Sequence, residues 1–258
     1  MQIYTYLAIP IILISVFCLM CSINSYAQNE KDFIAVDSVI VNDSVKIGKN
    51  LFYHFDYSLL VFPTINNKEL LDNIYKPANI QANNYSKQEL LAAIKENQKN
   101  EIEDIGEYDI DDEECCDSER SFYMTIFSKN NNLLTVNYAD EGYVTGAAHG
   151  WYGIFYRVFD LKENKKILNT DIFKDVESKD LSKILLKYFN EENLDVIDCL
   201  FDTIPINDNF YFDEKSITFV YNQYEIMPYV CGMAEITIPF DVIKVYLEPE
   251  FVKKYIIQ

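Results

Sequence analysis

Three features predict an α+β fold with antiparallel sheets and a few packed helices. Runs of β-branched and aromatic residues come in hairpin pairs, the amphipathic helical segments stand in separate blocks, and a glycine-rich stretch runs straight into a strand. A doubly wound parallel fold would alternate strand and helix throughout, and this sequence does not. The chain has 258 residues, 49% hydrophobic and 24% charged, which is enough apolar material for a globular core.

Leu7 to Met20 is apolar apart from Ser15, and no charged residue occurs before Glu30. As a helix, 14 residues span about 21 Å, less than the roughly 30 Å of a hydrocarbon core. Ser25-Tyr26-Ala27 then offers small residues at −3 and −1, so residues 1–27 are expected to be a signal peptide cleaved before Gln28. That leaves no stable membrane span. The alternative is a lipoprotein anchored through Cys21, opposed by bulky Phe17 and Met20.

The exported part divides into an α+β domain over 28–141 and another over 142–258. Phe33 to Val41 and Leu51 to Phe62 read as strands, the second stopped by Pro63. Leu70, Leu71, Ile74 and Tyr75 lie at helical spacing up to Pro77. Ser86-Lys87-Gln88-Glu89 is a capping box that starts a second helix. Residues 101–119 are acidic; an EF-hand register fails there, because the sixth residue from Asp109 is Glu114 rather than glycine. Phe122 to Phe127 and Leu133 to Tyr138 form a hairpin about Asn130-Asn131-Asn132.

Gly142 to Gly153 follows, with four of the seven glycines, the only tryptophan and His149. It feeds the strand Ile154 to Phe159, which a turn at Leu161 to Lys166 reverses. A helix opened by Ser178 places Leu181, Ile184, Leu185, Tyr188 and Phe189 on one face. Three strands (Asn209 to Phe212, Ser216 to Tyr221, Met233 to Phe240) and two short helical segments complete the chain.

Without the leader four cysteines remain: Cys115, Cys116, Cys199 and Cys231. Three pairings are open, and a vicinal Cys115–Cys116 bridge is disfavoured by strain. No Cys-x-x-Cys or His-x-x-x-His spacing indicates a metal, and no cofactor motif is present. The net charge of −19 excludes a nucleic-acid partner, which needs a basic face, and suits a cationic one.

The run Tyr143-Val144-Thr145-Gly146-Ala147-Ala148-His149-Gly150 resembles the Tyr-x-Thr-Gly-Gly-Ala-His-Gly signature of a domain of unknown function, with Ala147 at the second glycine. Phe159-Asp160-Leu161-Lys162, Asp171-Ile172-Phe173, Phe210-Tyr211, Tyr224 to Gly232 and Ile238-Pro239 fit the same pattern, and Phe62-Pro63-Thr64-Ile65 resembles its usual partner domain. The likeness covers about residues 50 to 247. Such a pair forms the extracellular part of the lysozyme-sensing anti-sigma-V factor and non-catalytic regions of some peptidoglycan deacetylases. With six residues before the apolar segment, no cytoplasmic sigma-binding part is expected, and no deacetylase metal motif is present.

The resemblance implies an exported module and leaves its activity open. The preferred reading is a binding module in the envelope that recognises a cationic protein such as lysozyme, or a cell-wall fragment. Candidate binding residues are Thr145, Gly146, His149, Trp151, Tyr224, Glu225 and Tyr229. The alternative is a wall or glycan hydrolase using Glu225 and His149 as an acid–base pair. No Gly-x-Ser-x-Gly elbow accompanies them, so a non-enzymatic reading is preferred, with no catalytic residue assigned.

Overall fold

β2 (Phe52–Val61) is the strand on which the first core is built. Its alternate residues Tyr53, Phe55, Tyr57, Leu59 and Val61 are all buried on one face. The computed structural model describes Ile34 and residues 36–106, 117–130, 132–192 and 194–256. The leader expected over 1–27, Cys115 and Cys116 lie outside the described residues.

β1 (Asp37–Lys46) pairs antiparallel with β2 over its whole length. It runs beyond the Val41 limit that the sequence suggested, because Asn42-Asp43-Ser44 pairs with His54-Phe55-Asp56 instead of turning. Between β2 and β3 (Ser118–Asn130) lie α1 (Lys68–Tyr75) and α2 (Lys87–Gly106). β3 runs parallel to β2 after these helices, and the other strand pairs of this sheet are antiparallel among the described residues. β4 (Leu133–Tyr143), β5 (Trp151–Asp160) and the two-residue β6 (Lys165–Lys166) complete it in the order β1-β2-β3-β4-β5-β6. A bulge leaves Phe127 unpaired in β3.

Helix starts follow local chemistry. The Asn67 side chain accepts the Leu70 amide at 2.8 Å. Ser86 Oγ accepts the Glu89 amide at 3.3 Å, but the Ser86 amide donates to Asn84 Oδ1 at 3.1 Å, so the expected capping box is one-sided. The helices cover the aromatic face of the sheet with Leu70, Ile74, Leu90 and Ile94. Buried hydroxyls find carbonyls: Tyr138 donates to Ile74 O and Tyr75 to Leu60 O, each at 2.7 Å.

A second, three-stranded sheet holds β7 (Phe210–Phe212), β8 (Ser216–Tyr221) and β9 (Ala234–Pro239), all antiparallel. α3 (Lys179–Glu192) packs Leu181, Leu185 and Phe189 with Phe210, Ile217, Phe219, Ile236 and Ile238 in one cluster. Its Glu192 carboxylate also accepts the Thr237 amide of β9 at 2.9 Å. The fold is therefore α+β, as the hairpin pattern predicts. The described residues from 36 onward belong to one compact unit, with β4 and β5 paired across position 142.

Two asparagines join the sheets. Among the described residues no strand pairs with most of β5 on the side away from β4, and the Ile154 and Tyr156 backbone needs partners there. Asn209 Oδ1 accepts the Tyr156 amide at 2.7 Å and its Nδ2 donates to Ile154 O at 2.8 Å. Asn222 Oδ1 accepts the Ile154 amide at 2.8 Å while its Nδ2 donates to the same carbonyl at 3.1 Å. Both side chains are buried. Asn209→Ala should cost about 3 kcal/mol, since it orphans the buried Tyr156 amide. The expected signature is a lower urea midpoint at unchanged m, and a loss under about 0.5 kcal/mol would remove this joint from the account.

Burial raises the phenols of Tyr57, Tyr75 and Tyr138, and takes Tyr156 up to about 12. An unfolded tyrosine ionises near 10. The unfolded chain then binds fewer protons than the folded one, so this stabilisation is complete below pH 10 and falls as pH rises beyond it. Melting temperature should hold from pH 8 to about 9.5 and drop steeply towards pH 11. A flat profile there would show these phenols to be accessible to hydroxide.

Candidate functional site

The stretch that the sequence singles out is partly strand and partly loop. Gly142 sits in β4 opposite Trp151 in β5, so the connecting loop is shorter than the composition suggests. A Cβ at Gly142 would come within 2.5 Å of the Trp151 ring and 2.6 Å of the Glu119 carbonyl oxygen. The missing side chain is the seat of the tryptophan. Gly146 has φ of +82°, and the Ala147 amide donates to Val144 O at 3.0 Å to close the turn. Thr145 is buried; its amide donates to Ser118 Oγ at 3.0 Å, and its own hydroxyl has no partner among the described residues.

His149 leaves this loop and meets the loop after β8. Its ring stacks on Tyr229 with centroids 4.1 Å apart and planes 23° apart. Nδ1 lies 2.8 Å from Gly150 O, and because a carbonyl only accepts, Nδ1 carries the proton. In the neutral ring Nε2 is then the acceptor, and the Tyr224 hydroxyl donates to it at 3.2 Å. Tyr224 holds φ of +67°, a region costly for a large side chain, and the residue is 59% exposed.

The same loop is stapled. Cys199 and Cys231 form a disulfide, one of the possible pairings, and the Phe201 amide donates to Ile226 O at 3.0 Å. Phe201 and Val230 stand exposed beside these links, Val230 at 88%. Exposed His149, Tyr224, Phe201 and Val230 with partly buried Tyr229 thus share one region of surface. Exposed apolar groups at such density mark contact sites more often than plain surface.

Glu225 faces another way. Its carboxylate lies 3.3 Å from Asn207 Nδ2, and no hydrogen bond joins it to His149 among the described residues. Although the residue as a whole is exposed, desolvation of its carboxyl raises it above the ordinary value, opposed by Asn222, Asn207 and the Arg157 charge. Trp151 also stands apart from the imidazole cluster, 5.9 Å from the Arg120 guanidinium.

That guanidinium was not legible as a site. Arg120 grips Asp140 through two bonds of 3.1 Å and Glu101 at 2.9 Å, and the Tyr53 hydroxyl donates to Glu101. Burial raises the Glu101 carboxyl, while Tyr53 and Arg120 oppose the shift. Tyr53, Glu101, Arg120 and Trp151 line a cavity of about 190 Å³. The sequence signal is a lone charge on an apolar strand face, Arg120 being in step with Phe122 and Met124. Among the described residues no group of three or more metal-binding side chains converges, and no helix is long and apolar enough to cross a membrane.

With this geometry in place, the chain can be set beside known proteins. Residues 170–241 match the family described as "Protein of unknown function (DUF3298)". The match takes in α3, the second sheet and the Tyr224–Tyr229 loop, and leaves the Thr145–Gly150 turn outside. A DUF3298 family member from Bacteroides fragilis NCTC 9343 has a similar structure, with a TM-score of 0.67 at 21% identity over 84% of this chain and 95% of that one. A DUF3298 family protein from Pseudomonas aeruginosa PAO1 gives 0.61 at 15% identity over 84% and 96%. At such identity the likeness speaks for the fold. No curated protein matches the sequence. The match over 170–241 takes in part of the stretch that the motifs mark, and neither relative's name states a ligand or a reaction.

Gly146→Val should lower stability by about 2–3 kcal/mol, because a β-branched residue is strained at that φ. Gly146→Asn should cost distinctly less, since asparagine tolerates the left-handed region. Thermal melts of the three proteins test the ordering. Equal melting temperatures would show that the turn relaxes freely.

Proposed function

We propose that this chain is an exported, envelope-side binding module that engages a basic protein through the face carrying His149, Tyr224 and Tyr229. The observation that carries the reading is the way that face is made. A tyrosine is held at positive φ, an imidazole is fixed by a stack and two hydrogen bonds, and a disulfide secures the loop beneath exposed Val230. Backbone strain kept at a surface aromatic supports a presentation role.

The hydrolase alternative draws less support. Both His149 nitrogens are engaged within the loops and Glu225 is bonded to Asn207, an arrangement that lends no support to an acid–base pair. Charge favours a cationic partner. The net charge is −19, with Glu225 in the loop and Asp198 and Asp202 flanking Cys199 and Phe201. Tyrosine faces beside carboxylates suit lysine and arginine side chains through cation–π and ionic contacts. From the resemblance to the anti-sigma-V ectodomain, c-type lysozyme is the first candidate, and Thr145, Gly146 and Trp151 act by shaping the neighbouring loop.

Calorimetry with c-type lysozyme and with an unrelated protein of similar pI, at 0.1 M and 1 M salt, tests this. Screening shortens from about 10 Å to about 3 Å over that range. The expected result is binding to lysozyme that weakens with salt yet survives it, and that falls at least about tenfold in the His149→Ala/Tyr224→Ala variant. Equal binding to both proteins, abolished by salt, would reduce the idea to charge attraction. Glycan turnover lost on Glu225→Gln would replace it with the hydrolase.

A further inference from the structure

Away from the His149 loops, a cavity of about 440 Å³ opens where four segments converge. These are the facing ends of β3 and β4, the turn after β5, the β7–β8 turn and the helical segment Val252–Ile256. Its size falls within the roughly 300–1,000 Å³ of small-molecule sites.

One wall is fixed from below by a buried carboxylate. Asp160, 1% exposed, accepts the Lys162 and Glu163 amides at 2.9 Å each, Lys254 Nζ at 2.8 Å and the Tyr255 hydroxyl at 2.5 Å. The C-terminal segment is thereby clasped to the end of β5, and its tyrosine is locked. Tyr255 and Phe212 meet at 6.1 Å with planes 60° apart, giving the cavity an aromatic side. The clasp uses up Asp160, which leaves it no part in ligand contact.

The rim is uncommitted. Asn130, Asn132, Lys162 and Glu214 line the opening, and their side chains have no hydrogen bond or ion pair among the described residues. Amide, ammonium and carboxylate groups thus face one space that is aromatic on another side. Two lysines against Asp160, Asp213 and Glu214 make the lining nearly neutral, on a chain of net charge −19. A near-neutral lining offers little to a simple anion or a polycation.

The ligand that uses all of these groups is uncharged, polar around its edge and apolar across a face. We propose that this cavity binds a saccharide of one or two rings. The C–H face of the sugar lies against Tyr255 and Phe212, while its hydroxyls exchange hydrogen bonds with Asn132, Lys162 and Glu214. This site is separate from the protein-binding face and does not depend on it.

Titration of the isotope-labelled protein with chitobiose and with cellobiose, followed by amide NMR, tests the assignment. Saturable shifts are expected at Asn132, Lys162, Glu214 and Tyr255 for at least one sugar below about 20 mM, the weak range proper to a few hydrogen bonds and one ring face. The Lys162→Ala/Glu214→Ala variant, altered only at exposed positions whose side chains have no partner among the described residues, should keep its melting temperature and bind at least about fivefold more weakly. If that variant melts lower, Asn132→Ala serves as the reporter with the same expected loss. No saturable shift with either sugar, undiminished binding by the variants, or shifts centred on Tyr224 and Tyr229 would each overturn the assignment.

Discussion

The structure depends on how the open edge of β5 is closed. A strand edge inside a folded chain cannot be left without partners, and among the described residues no strand pairs Ile154 and Tyr156 on that side. Two primary amides take its place, each offering a donor and an acceptor in the plane of a peptide group, which is why asparagine serves and aspartate would not. Because Asn209 and Asn222 stand just before β7 and just after β8, the second sheet is held to the first through its own strand ends. The loop beginning at Asn222 carries Tyr224 and Tyr229, so the bonds that close the edge also set where the tyrosines meet His149.

Much of this was legible in the sequence. The hairpins, α1 and the amphipathic face of α3 follow from periodicity, because burial on one face imposes it. The limits of β1 were not, since Asn42-Asp43-Ser44 has turn chemistry and only pairing with β2 keeps it extended. Gly142 and Trp151 read as loop, but the glycine is a strand residue whose missing side chain makes room for the indole. In each case tertiary contact outweighs local preference.

The candidate site divides in the same way. His149, Tyr224 and Tyr229 were picked out by sequence and do come together, although 75 residues separate the first two. Glu225 and Trp151 do not join them; neighbours in sequence along a loop or strand point to different sides. Phe201 and Val230 escaped notice because a single exposed apolar residue carries no sequence signal until the disulfide brings it beside others. Asn209 and Asn222 look like ordinary turn residues on paper, and their buried role depends on a strand more than fifty residues earlier.

The disulfide bears on how the second half of the chain reaches this arrangement. Cys199 and Cys231 lie 32 positions apart and enclose β7, β8 and the tyrosine loop. Closing a ring of that length removes disordered-state entropy worth roughly 3–4 kcal/mol in the chain-entropy description, a large share of the 5–15 kcal/mol that holds a typical domain together. Asn209 and Asn222 both lie inside that ring, so oxidation narrows the disordered ensemble of the very segment that closes the β5 edge.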